Sequence, residues 1–207
     1  MRSRREGVDK TYVEQGEQKQ RSIRLIANWY LRRGFMQERI CQPTSLSCLL
    51  CGKDNPVSLK VKWFNNYEKY QVETTVVIPH EFCSYKGTAH GGIIAALLDE
   101  TAGRAVMLNN DFDHLMVTMK LETTYRKPTP TGVPVKIIGR VIKDSGSRSA
   151  VEGEIILPDG TVSATCNALL HKIPDSIKES WGEAEMKEWD NTKPNQELAD
   201  FERSKYL

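Results

Sequence analysis

The stretch His90-Gly91-Gly92-Ile93-Ile94-Ala95-Ala96-Leu97-Leu98-Asp99-Glu100 decides how this chain is folded. From His90 to Leu108 there is no proline, helix formers dominate, and apolar residues fall on nearly every side. A helix of that kind is buried rather than laid along a surface. It needs cover, and its flanks supply strands. On the N-terminal side Val57, Leu59, Val61 and Trp63 alternate with polar residues, Asn65-Asn66-Tyr67-Glu68 turns the chain, and residues 70–78 return as far as Pro79. That is a hairpin signal. On the C-terminal side four strand-like segments follow at 115–126, 134–144, 149–157 and 161–172. Pro128, Pro130 and Gly132 interrupt the first connection. Ser145-Gly146-Ser147 and Pro158-Asp159-Gly160 read as tight hairpin turns. Two strands, one buried helix and four strands predict an α+β fold: an antiparallel sheet wrapped round a single central helix.

Further out the character changes. Ile23, Ile26, Ala27 and Tyr30 fall at helical spacing, so residues 21–33 are expected to form a short amphipathic helix that stops near Gly34. Residues 1–40 hold ten Lys/Arg against five Asp/Glu, and residues 174–207 hold five against nine. The net charge of +2 therefore conceals a basic head and an acidic tail. Trp181, Met186 and Trp189 are the main apolar anchors of that tail, which fits either a docking helix or a disordered segment. A length of 207 residues suits one compact domain with terminal extensions. So small a net charge gives no electrostatic case for nucleic acid. No apolar run reaches the roughly 20 residues needed to cross a bilayer, and the charged start has no apolar stretch of a secretory signal behind it. Five cysteines are an odd number for a disulfide framework, which makes a reducing cytoplasm the natural compartment.

The chemistry gathers at the helix. A Gly pair at a helix start leaves backbone N–H groups unshielded, and a helix N-terminus favours an oxyanion. Donors so placed stabilise the tetrahedral intermediate of acyl transfer. Taken alone, the plainer account is that Gly91-Gly92 permits a tight turn and His90 caps the helix. Asp99 alters the balance. Its helical neighbours are Ala95, Ala102, Gly103 and Val106, and a carboxylate among small residues in an apolar helix is costly without a partner or a task. A structural Asp99, bonded to a neighbouring strand, is the alternative. Glu100 has Arg104 four residues on and reads as an exposed ion pair.

His-Gly-Gly, six residues and then Asp, opening the central helix, resembles the hotdog thioesterases of the phenylacetic-acid-pathway and thioesterase-superfamily-member kind. Cys48-Leu49-Leu50-Cys51-Gly52-Lys53-Asp54-Asn55-Pro56 is similar to an opening common in that group, and Thr118 with Tyr125-Arg126-Lys127-Pro128 sits where relatives carry a functional Thr or Ser and a Tyr-basic-Pro strand end. The resemblance covers about residues 46–173. It implies a hotdog domain there, flanked by extensions at 1–45 and 174–207, and a homodimer or dimer of dimers with shared sites. Gly91, with Gly92 and His90 beside it, would polarise the thioester carbonyl from one chain. Asp99 and Thr118 of the other would supply the base or nucleophile and a water-positioning hydroxyl. Alternation alone puts Thr118 on a polar strand face with Lys120, Glu122 and Thr124. Some relatives place Asn six residues before the His, where this chain has Ser84. For coenzyme A, Arg126, Lys127 and Arg148 are candidate phosphate partners at strand ends and turns, although each alone reads as a solvated charge.

The implied activity is acyl-CoA hydrolysis, with no cofactor. A hotdog dehydratase would want a His and an acid paired across the site. A non-catalytic acyl-CoA sensor with a DNA-binding head would want two helices in the basic head, where one is visible. A rival constellation pairs Cys48-x-x-Cys51 with His80-x-x-Cys83, whose three thiolates and imidazole could hold structural zinc if the first hairpin brings them together. No metal is expected in the functional site.

Overall fold

The computed structural model describes residues 39–108 and 115–176. The expected helix at 21–33 and the tail anchors lie outside them. Among the described residues, nine strands accompany one long helix: β1 Arg39–Cys41, β2 Phe64–Asn66, β3 Gln71–Val77, β4 Cys83–Tyr85, β5 Thr88–Ala89, α1 Gly91–Ala105, β6 Met116–Tyr125, β7 Pro134–Asp144, β8 Arg148–Ile156 and β9 Val162–Lys172. Seven of them make one antiparallel sheet in the order β1-β2-β3-β7-β8-β9-β6, and β4 pairs with β5 in a separate hairpin. The expected central helix and the four strands after it are all present.

The helix seats against the sheet through Ile94, Leu97, Leu98, Ala102 and Ala105, which meet Val72, Ile137, Val151, Ile155 and Leu170 in one buried cluster. Each fully buried Leu or Ile contributes about 1.5–3 kcal/mol. A glycine pair lets the helix come close. Gly139 of β7 stands opposite Gly153 of β8. A Cβ on Gly139 would meet Thr101 Cγ2 at 2.9 Å and Thr101 O at 3.0 Å, and one on Gly153 would meet Cys166 Sγ at 2.9 Å. Gly139→Ala is therefore expected to cost about 1–3 kcal/mol by overpacking against helix backbone. Urea denaturation measures this as a lowered midpoint with an unchanged slope.

The first hairpin differs from expectation. Residues 57–63 are not a strand; β2 is confined to Phe64–Asn66, and the turn falls at Tyr67–Tyr70. Lys60 has a left-handed backbone, φ 54°, which ends regular extension. Its ammonium donates to the carbonyls of Gly52, Lys53 and Asn55, so it caps the preceding loop. The inward alternation survives only in Val61, Trp63 and Asn65, all buried. The position opposite β2 is taken by β1, with Cys41 paired to Phe64.

The helix is also less enclosed than its composition suggests. One face is buried, while Ile93, Ala95, Ala96, Asp99 and Gly103 remain half-exposed. No helix among the described residues is long and apolar enough to cross a membrane.

Candidate functional site

His90 is the N-cap of α1, with extended backbone at φ −64° and ψ 135°. Its Nδ1 accepts the Gly92 N–H at 2.9 Å. The ring is thus committed through Nδ1 as a helix cap. Gly92's amide is spent on this bond. The amide of Gly91 has no acceptor among the described residues, which makes it the free donor of the pair. Behind it, the Tyr125 hydroxyl donates to the Gly91 carbonyl at 2.8 Å, and the Tyr125 ring lies 3.5 Å from where a Gly91 Cβ would be. Tyr125 steadies this turn, a role that nothing in the local sequence signalled.

At mid-helix, Asp99 Oδ1 accepts a hydrogen bond from the Thr118 hydroxyl at 2.7 Å. Alternation alone had turned Thr118 away from the helix. The reason for the difference is a bulge: the β6–β9 register shifts between Thr118 and Lys120. Thr118 stands opposite Leu170 and Leu121 opposite Ala168, both buried partners, so the two share the helix-facing side despite their odd separation. One extra residue re-aims the side chain. Asp99 and Thr118 line an open cavity of ≈ 520 Å³ together with Glu100, Gly103, Arg104, Met107, Leu115 and Ile173. Deeper in, burial pushes the Cys166 thiol up to about 11, and the charge of Asp99 adds to the effect.

The expected ion pair of Glu100 and Arg104 forms, but its Arg104 half is buried while Glu100 is half-exposed. Arg104 is 2% accessible. Its Nε and Nη2 reach Glu100 Oε1 at 2.9 Å, Nη1 donates to the Pro43 carbonyl, Nη2 donates to Cys51 Sγ at 3.1 Å, and the guanidinium stacks 5.2 Å from the Trp63 ring centroid. The cause is helix phase. Arg104 shares its face with Leu97, Thr101 and Ala105, all buried, and that spacing was the signal the i+4 pairing obscured.

Nor does the four-residue zinc arrangement form. Cys48, Cys51 and Glu100 bring their ligand atoms within 4.8 Å of one another, and neither His80 nor Cys83 joins them among the described residues. His80 Nδ1 bonds the Thr131 hydroxyl at 2.8 Å, and Cys83 is exposed in β4. The local positive charge is already supplied by Arg104.

Of the candidate phosphate partners, Arg126 and Lys127 follow β6 at the Gly91 end, their amides donating to the Ser163 carbonyl. Arg148 opens β8 opposite His171, at the Thr118 end of the sheet. Seven residue steps along β9 carry the chain from Ala164 to His171, about 23 Å, so one chain does not bring these cations together. Ser84 is exposed in the β4–β5 hairpin that leads into the helix.

One long helix packed against an antiparallel sheet in this strand order defines the hotdog class. The thioesterase superfamily model matches residues 86–164. A Saccharolobus solfataricus protein named "putative esterase" is 32% identical over 99 residues, covering 48% of this chain and 69% of that one. A Caenorhabditis elegans protein of the same description is 28% identical over 151 residues, 67% of this chain and 88% of that one. The match to an uncharacterized Schizosaccharomyces pombe protein, 34% identical, spans 46% of that relative's length. Among solved structures, a thioesterase superfamily protein superposes with a TM-score of 0.57 at 22% identity, covering 82% of each chain. The chain belongs to the thioesterase superfamily.

Proposed function

We propose that this protein hydrolyses acyl-CoA thioesters to the free acid and coenzyme A, in sites shared between two copies of the chain. The observation that carries the proposal is the Asp99 carboxylate, held by Thr118 at 2.7 Å on the wall of an open cavity. A carboxylate so placed can take a proton from water attacking a thioester carbonyl, or attack the carbonyl itself. The Gly91 amide, at the positive end of the helix, would receive the oxyanion.

Gly91 and Asp99 lie eight residues apart on one helix, about 12 Å at 1.5 Å per residue. They cannot bracket one carbonyl from the same chain. An antiparallel second copy would set the Gly91 end of one helix against the Asp99 end of the other and cover the half-exposed stripe of Ile93, Ala95, Ala96 and Gly103. It would also bring Arg126 and Lys127 of one chain towards the Arg148 end of its partner, which suits a ligand with separated phosphates. The domain so used is residues 46–173, with the two extensions outside the chemistry.

Two measurements test this. Incubation with a panel of acyl-CoAs should release free thiol from at least one of them; folded protein that releases none from any would overturn the proposed activity. Light scattering at micromolar concentration should find a dimer or a dimer of dimers, and an active monomer would exclude the shared site.

A further inference from the structure

We propose that Cys48 and Cys51 form an oxidisable dithiol that closes to a disulfide when a peroxide reaches Cys48. The loop around them is built to fold the two sulfurs together. Lys53 N–H donates to Ser45 O at 3.0 Å, Asp54 N–H to Leu46 O at 2.9 Å, and Gly52 N–H to Cys48 O at 2.8 Å. A Cβ at Gly52 would lie 2.4 Å from the Cys48 carbonyl, so only glycine allows this tight return. The sulfurs end within 4.8 Å of each other, a gap that side-chain rotation can close to a bond.

The two thiols are differently equipped. Cys48 is half-buried, whereas Cys51 is 2% accessible. Cys48 Sγ accepts the Leu50 N–H at 3.3 Å. The hydrogen bond from the Cys51 thiol pulls the Cys48 thiol down to about 6, against the opposing effects of burial and the Glu100 charge. Cys51 keeps its proton, its own thiol raised first by that shared bond and then by burial. Cys48 is therefore the thiolate nucleophile and Cys51 the resolving thiol. Arg104, donating to Cys51 Sγ at 3.1 Å, favours negative charge on that sulfur when a reductant later opens the bond.

The steps balance as follows. The Cys48 thiolate attacks one peroxide oxygen, the O–O bond breaks, and hydroxide leaves behind a sulfenic acid; sulfur loses two electrons and peroxide gains them. The Cys51 sulfur then attacks the sulfenic sulfur, the S–S bond forms, the S–O bond breaks, and the departing hydroxyl leaves as water with the Cys51 proton. Glu100 and Arg104, which both contact the Cys51 sulfur, also line the Asp99 cavity.

The test uses the reduced full-length protein at pH 7, treated with hydrogen peroxide, alkylated and digested. Peptide 40–53 contains Cys41, Cys48 and Cys51. The expected product carries one alkyl group, on Cys41, and a disulfide between the other two. It should form about tenfold faster than exposed Cys83 is oxidised and revert with dithiothreitol. Three alkylated cysteines in that peptide while Cys83 is oxidised would overturn the proposal, as would a disulfide that uses Cys41. Cys51→Ser should leave Cys48 trapped as a sulfenic acid by a dimedone-type reagent, while Cys48→Ser should leave Cys51 reduced. If a variant fails to fold, the unmutated peptide map still decides. None of these readouts requires hydrolytic activity, so failure here is separable from failure of the thioesterase assay.

Discussion

Asp99→Asn is expected to lower turnover by ~10²–10⁴ while the protein folds and still binds a non-hydrolysable acyl-CoA analogue, because that is the usual cost of losing a general base. The substitution preserves size and leaves an Oδ1 to accept the Thr118 hydroxyl, whose bond to Asp99 is 2.7 Å long. Only the charge and basicity go. Glu100→Gln is the companion control. Glu100 faces Arg104, and its role is to receive the Nε and Nη2 donors at 2.9 Å; a Gln carbonyl can still receive one of them. Turnover per folded molecule should change little. A purely structural Asp99 would give the opposite pattern, a lowered melting temperature with turnover nearly intact. Damage confined to Glu100→Gln would mean that the two adjacent carboxylates have exchanged roles.

The second large effect is on stability. Arg104→Ala is expected to cost about 3–5 kcal/mol, the range for removing one partner of a buried ion pair. Loss of the guanidinium strands three acceptors at once: Glu100 Oε1, the Pro43 carbonyl and Cys51 Sγ. It also removes the cation stacked on Trp63, itself fully buried and donating from Nε1 to the Thr101 hydroxyl at 2.9 Å. Arg104→Lys should rescue only part of this, since an ammonium cannot reproduce the planar fork. Guanidinium denaturation compares the three proteins. An Arg104→Ala midpoint close to that of the unmutated protein would contradict the account of this network.

Much of the fold was legible because its signals are local. The apolar run 93–108, the alternating segments 134–144 and 161–172, and the Gly146 and Gly160 turns each declare themselves within a dozen residues. The misplaced features depend on events that period-two or period-3.6 counting does not register. A left-handed Lys60 interrupts an otherwise alternating stretch and moves the strand to Phe64–Asn66. A bulge between Thr118 and Lys120 reverses which face Thr118 takes. Arg104 looked like half of a surface pair because its four-residue spacing from Glu100 was weighed before its alignment with Leu97 and Thr101.

The site shows the same division. Asp99 could be singled out from composition, since an acid among small residues in an apolar helix asks for an explanation. Its bond to Thr118 could not, because that contact joins residues 19 apart through a bulged register. The helix start was legible as a donor site, but not which amide is free. That distinction comes from the His90 ring, whose Nδ1 occupies the Gly92 N–H. Tyr125 and its bond to the Gly91 carbonyl also lay beyond local pattern, being a contact across 34 residues.

A shared site has a direct consequence for mixed dimers. Gly91→Pro removes the free amide at the first helical position, where proline is tolerated and the N–H has no helical acceptor. His90 before it already has the extended backbone that proline requires. Gly91→Pro and Asp99→Asn proteins should each be nearly inactive alone. Unfolded together, refolded and assayed for thiol release, an equal mixture should recover about a quarter of the unmutated activity, since half the dimers are mixed and each mixed dimer has one intact site. A mixture that contains mixed dimers yet stays as inactive as its parts would contradict a site built from Gly91 of one chain and Asp99 of the other.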